Sequence, residues 1–131
     1  MAMVMLLPSV LAAQAPAALL GTWLDDYGAT HQIADTLWVH GRNAFRIVRW
    51  DSAGGYLVAE NAAGNAGEAG RWSRIDVMRF EAMPPWSWGY CFSAWDAPSA
   101  DSAARVAPAD RSAPRTGCGG FPFTRMRAPP E

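Results

Sequence analysis

From Leu20 onward the chain is built of short apolar and aromatic runs, each broken by Gly, Asn or Asp, and no apolar face repeats at helical spacing over ten or more residues. Runs of that length with period-two alternation are the pattern of strands rather than helices. The pattern predicts strands at 21–24, 29–33, 36–40, 45–50, 56–60, 71–81 and 90–95, with a closing strand within 121–126 where Pro122 confines the chain to an edge or irregular position. Asp25-Asp26-Tyr27-Gly28, Gly41-Arg42-Asn43 and Asp51-Ser52-Ala53-Gly54-Gly55 lie between these runs. They are short and made of residues that tolerate positive φ, which suits antiparallel hairpins.

Alternation also divides the residues between faces. In the run from Arg71, one face carries Trp72, Arg74, Asp76, Met78 and Phe80, and the other carries Arg71, Ser73, Ile75, Val77 and Arg79. The first face reads either as a barrel interior holding a buried Arg74–Asp76 pair, or the rim of a pocket, or as an ordinary core face with a peripheral ion pair. The stretch 61–70 is a loop of small residues and lacks the order of Gly, Lys and Ser/Thr that a phosphate-binding loop needs. Residues 97–114 are loop, with one short helical turn expected near 101–106 and Ser99 or Asp101 as its N-cap.

Length sets one domain, because 131 residues leave room for a single hydrophobic core. Residues 1–17 are uncharged, apolar through Leu11 and then rich in small residues, so they read as a signal peptide cleaved after Ala17. The apolar stretch is short for a bilayer span and Pro8 interrupts it, so no stable membrane span is expected in the mature form. This makes 18–127 the folded β domain and 128–131 a frayed tail. Two cysteines in an exported chain imply a disulfide between Cys91 and Cys118, joining an aromatic strand to a Gly-rich turn. The expected location is the periplasm or the outside of the cell.

Charge and composition then narrow the function. A formal net charge of -1 gives no basic excess for a polyanion, so nucleic acid is not expected as a partner. All eleven basic residues are Arg, and together with abundant Ala this reflects a GC-rich, bacterial coding background rather than selection for phosphate recognition. Seven Trp in so short a chain must line a core, a pocket or an interface. Asp25, Asp26, His31 and Asp76 are the acid–base groups an enzyme would use, yet nothing in their spacing joins them, and no catalytic residue is assigned. Two isolated His (His31, His40) and two distant Cys lack the paired spacing of a metal site, and no cofactor is implied.

Gly21-Thr22-Trp23, at the head of the first strand and ahead of a series of short antiparallel strands, resembles the opening of lipocalins and related calycin barrels. Residues 21–30 also look like the first hairpin of avidin-type barrels. The resemblance implies an all-β fold, a small antiparallel up-and-down barrel or strongly curved sheet. It further implies that Trp23 closes one end of the barrel, with Arg125 packed across it. On these readings the chain is a binding module for an apolar or aromatic small molecule, lined by Trp38, Trp50, Trp72, Arg74, Trp88 and Tyr90. The alternative is a structural or protein-interaction domain of the cell envelope that docks a partner through Trp86 and Trp88 beside Pro84-Pro85.

Overall fold

A computed structural model describes residues 14–130, so most of the expected leader lies outside the described residues. Eight strands close into one antiparallel barrel in chain order. They are β1 (Gly21–Asp25), β2 (Thr30–Ile33), β3 (Leu37–His40), β4 (Asn43–Asp51), β5 (Tyr56–Asn61), β6 (Trp72–Arg79), β7 (Trp88–Ala97) and β8 (Thr124–Arg127). A single helix, α1 (Ala100–Ala104), follows β7. Its N-cap is Ser99, whose hydroxyl accepts from Ser102 N–H while the Ser102 side chain returns to Ser99 N–H in a reciprocal cap. The barrel shuts where β1 meets β8 through Leu24↔Arg127 and Asp25↔Met126. Closure removes the exposed edges that an open sheet would carry.

Inside, alternate residues of every strand meet. Ile33, Trp38, Ile47, Trp50, Leu57, Ala59, Ile75, Trp88, Tyr90 and Met126 form one buried cluster, with Trp23, Phe45, Val77 and Phe92 packed against it. One end is sealed by a 3-10 turn at Ala17–Leu19. Leu19 enters the core and its carbonyl accepts the Trp23 indole N–H at 3.0 Å. At the same end Trp50 Nε1 donates to the Asp35 carbonyl at 2.7 Å. The other end carries the β1–β2, β3–β4, β5–β6 and β7–β8 connections and forms the mouth.

A second layer covers the outer wall. The connection from β7 to β8 lays α1 on β5, β6 and β7, where Val58, Ala97 and Ala103 make a small core. Further along, Met78, Cys91, Ala109 and Cys118 make another, flanked by Phe80, Phe121 and Phe123. Cys91 and Cys118 are disulfide-bonded, their Cα atoms 6.0 Å apart. Gly89 permits this layer to approach: a Cβ there would meet the Thr124 carbonyl at 2.8 Å and the Phe80 and Phe123 rings at 2.9 Å.

This layer changes the reading of β6. The face bearing Trp72, Arg74, Asp76 and Met78 points outward beneath the β7–β8 connection, and Ser73, Ile75 and Val77 point into the barrel. The Arg74–Asp76 pair is therefore buried between wall and cover. Arg74 donates Nε to Asp76 Oδ2 and Nη2 to Asp76 Oδ1, both at 3.2 Å, and Nη1 to the Ala104 carbonyl at 2.8 Å. Its guanidinium also lies 3.8 Å from the Tyr56 ring centroid. Arg111 reaches in from the connection to Asp76 Oδ1 at 2.7 Å and to the Gly55 and Val77 carbonyls, while Ser93 Oγ donates to Asp76 Oδ2.

Candidate functional site

Three hollows differ in their walls, and one of them is walled by inward-facing residues of four successive strands. The largest, about 620 Å³, lies outside, between the β1–β2 turn and the Ala113-Pro114-Arg115-Thr116 stretch. Its Arg125 is already engaged, donating Nε to Asp26 Oδ2 at 2.9 Å with its guanidinium over the Trp86 ring. A second, about 500 Å³, runs along the β4–β5 turn, where the Arg111 guanidinium caps the Gly54 and Gly55 carbonyls. The third, about 420 Å³, opens at the mouth. Phe45, Asn61, Ser73 and Phe92 enter it from β4, β5, β6 and β7, and Asn43, Asn65, Gly67, Glu68, Trp95 and Phe121 complete it. Aromatic walls with a few fixed polar groups, in a volume within the ordinary range of ligand pockets, are the makings of a small-molecule site.

The polar groups of the mouth are held in place. Asn61 Nδ2 donates to the Glu68 carbonyl at 2.9 Å and the Trp95 carbonyl at 2.7 Å, while its Oδ1 accepts from Ser73 Oγ at 2.6 Å. Asn65 exchanges two bonds with the backbone of Ala44, and Asn43 Oδ1 accepts from Ala66 N–H. The stretch 61–70, read from sequence as a loop of small residues, is thus tied to two neighbouring strands. The aromatic walls pair off as Phe45 with Phe92, centroids 5.5 Å apart, and Trp95 with Phe121 at 4.5 Å.

None of the residues expected to line a ligand site lines the hollow at the mouth. Trp38, Trp88 and Tyr90 pack on one another in the barrel centre, with Trp38 and Tyr90 centroids 4.8 Å apart and Trp38 and Trp88 5.9 Å apart. Trp50 lies at the opposite end, where it lines the hollow along the β4–β5 turn. Trp72 and Arg74 sit on the outer face for the parity reason given above. A docking surface of Trp86 and Trp88 is not presented either, since Trp88 is buried inside the barrel and Trp86 lies under Arg125. The expected closure pair also separates. Trp23 packs inward, edge-on to Trp88 at 5.5 Å. Met126 pairs with Asp25 and points inward with it, so its neighbour Arg125 must point outward, to Asp26 and Trp86.

What the sequence reading did not join, the barrel does. Asp25 and His31 face inward on adjacent strands of the first hairpin, and His31 Nε2 lies 2.7 Å from Asp25 Oδ2. His40, opposite His31 on β3, stacks on it with centroids 4.0 Å apart and brings its Nε2 to 3.9 Å from the same oxygen. Asp25 Oδ1 accepts from Tyr27 N–H at 2.9 Å and Ala29 N–H at 2.8 Å. Burial alone would raise the Asp25 carboxyl, but the bonds from His31, Ala29 and Tyr27 outweigh it and hold the group below its ordinary value. Burial pushes the His31 imidazole down, against the pull of Asp25, and His40 pushes the same way.

The donor atoms of Asp25, His31 and His40 lie within 4.8 Å of one another, a set that invites a metal. Trp38 argues against it. Its indole N–H donates to His31 Nδ1 at 3.0 Å, so Nδ1 must be the acceptor and Nε2 must carry the proton that goes to Asp25. A neutral imidazole binding a cation through Nε2 would have to place its proton on Nδ1, against a second N–H. The same bond denies His31 the role of a general base, because both ring nitrogens are occupied. The constellation is a buried hydrogen-bond chain, Trp38 to His31 to Asp25 to the β1–β2 turn.

The eight-stranded closed barrel agrees with the calycin-like expectation at the level of architecture. Among the described residues no helix is long and apolar enough to cross a membrane. No protein-family model, no curated protein and no solved structure matches this chain.

Proposed function

We propose that this chain is an exported small-molecule binding module that takes an apolar or aromatic ligand in the mouth of its barrel. The observation that carries the reading is the roughly 420 Å³ hollow walled by Phe45, Phe92, Trp95 and Phe121 above a filled aromatic core. Core and site are divided along the barrel axis: Trp38, Trp88 and Tyr90 make a rigid floor, and the mouth supplies the recognition surface. Rigid walls lower the ordering cost of binding. Export rests on the apolar stretch 1–17 together with the Cys91–Cys118 bond, which an oxidising compartment would preserve.

The test uses Trp95 as reporter, since it is the Trp in the wall. Titration with a panel of small planar aromatics should quench its emission, Trp95→Phe should remove most of that signal, and Phe92→Ala should weaken binding. Wild-type protein that shows no saturable quenching with any of them would overturn the reading. Intact-mass analysis of protein recovered from the periplasm or medium should find a chain beginning near Ala18.

A further inference from the structure

The loop 62–71 places one residue in an unfavourable conformation. Glu68 has φ +53°, the one non-glycine residue at positive φ among the described residues. Gly64, Gly67 and Gly70 stand in the same loop and would take that conformation without strain, so the site tolerates a cost for a side chain at position 68. The backbone there is fixed, because the Glu68 carbonyl accepts from Asn61 Nδ2 at 2.9 Å and from Arg71 N–H at 3.1 Å. Glu68 is the single charged residue lining this hollow; it is exposed at the rim and forms no ion pair among the described residues. Beside it Trp95 is 41% exposed, its ring edge-packed on Phe121.

From these features we infer that the ligand of the mouth is an aromatic amine, an inference that rests on the binding reading above. A planar ring fits against Phe45 and Phe92, and an ammonium group finds the Glu68 carboxylate and the exposed face of Trp95. A carboxylate gives an ammonium a charge-assisted hydrogen bond, and an indole face attracts a cation through its quadrupole. An anionic ligand would find no opposite charge, since no cationic side chain lines the cavity.

The experiment titrates tryptamine and its neutral counterpart of similar shape, 3-ethylindole, into wild type and Glu68→Gln by calorimetry, with Glu68→Asn as a second variant suited to the same backbone. In wild type tryptamine should bind about tenfold or more tighter, the scale of one charge-assisted bond. Both variants should bring the two ligands to similar affinity, and higher salt should weaken only tryptamine. Equal affinities in wild type, or a preference that survives in both variants, would overturn the amine assignment while leaving the mouth as a binding site. If neither compound binds wild type nor any neutral aromatic quenches Trp95, the binding reading fails and the amine assignment with it.

Discussion

Trp38 gives its indole N–H to Nδ1 of His31, and this bond settles which tautomer the buried imidazole adopts. The proton on Nε2 then meets Asp25, whose other oxygen ties down the turn between β1 and β2. A tryptophan on β3 therefore orients a hairpin that begins on β1. The chain does for the first three strands what Asn61 does for the loop above β5 and β6.

The worth of that chain is measurable by comparing two tryptophans in the same core. Trp38 and Trp88 are each 2% exposed, but the Trp88 Nε1 has no hydrogen-bond acceptor among the described residues. Trp→Phe opens a similar void at either position. At 38 it also strands His31 Nδ1 as a buried acceptor, whereas at 88 it removes an unpaired donor. Trp38→Phe should cost about 1–3 kcal/mol more than Trp88→Phe in urea unfolding. Equal losses would show that the Trp38–His31 bond contributes little.

Acid should act on the same cluster. The His31 pKa is depressed in the folded state relative to its ordinary 6.5, so between those two values the unfolded chain binds a proton that the folded one does not. Stability rises with pH wherever the unfolded state holds more protons. The contribution of His31 is therefore fully present above pH 6.5 and is lost as pH falls through the folded value. Asp25, depressed below 3.8, adds a second loss beginning below that point. Asp25 and His40 on the adjacent strands and Tyr90 across the barrel are the groups that face His31. Thermal melts from pH 8 to pH 4 should fall progressively below pH 6.5, and His31→Gln should flatten the first step. A flat wild-type profile from pH 7 to pH 5 would contradict this.

Strand positions could be read from the sequence because each strand has its own apolar alternation and its own turn residues, and the helix because Ser99 announces a cap. Facing direction was harder. Alternation says which residues share a face but not which face is inside, and on β6 both faces are covered, so Trp72 and Arg74 looked like lining residues. Bulges on either side of Arg74 blur the parity further. The Asp25–His31 contact rests on the register of the first hairpin, which sequence did not supply: Trp23 pairs with His31, so Asp25, two residues on, shares its face. The mouth had none, because Phe45, Glu68, Trp95 and Phe121 meet only once the barrel closes and its long connections fold over one end.

The outer layer is fastened at two points, and each should be separable. Cys91 and Cys118 are 27 residues apart, and a loop of that size is worth about 3 kcal/mol in the chain-entropy model. Reduction, or Cys118→Ser, should lower the melting temperature and expose the β7–β8 connection to proteases. Asp76→Asn leaves Arg74 and Arg111 facing a neutral amide in a buried site, which should cost about 3 kcal/mol or more. Both lesions loosen the same layer, so their effects should combine non-additively. Proteolysis in the connection that is unchanged by either lesion would show the layer to be held by its apolar contacts alone.

Glu68 gives the sharpest link between fold and function. In the left-handed region a side chain costs roughly 1 kcal/mol, and glycine escapes that penalty while losing part of the gain to its larger chain entropy. Glu68→Gly should therefore stabilise the barrel by up to about 1 kcal/mol. A residue retained against stability is explained if its carboxylate has a task, so the same substitution should abolish the preference for tryptamine over 3-ethylindole. Thermal melts and the ligand titrations on one preparation read both effects together. A variant that is less stable than wild type would refute the strain argument, and one that is more stable yet still prefers the amine would refute the role of the carboxylate.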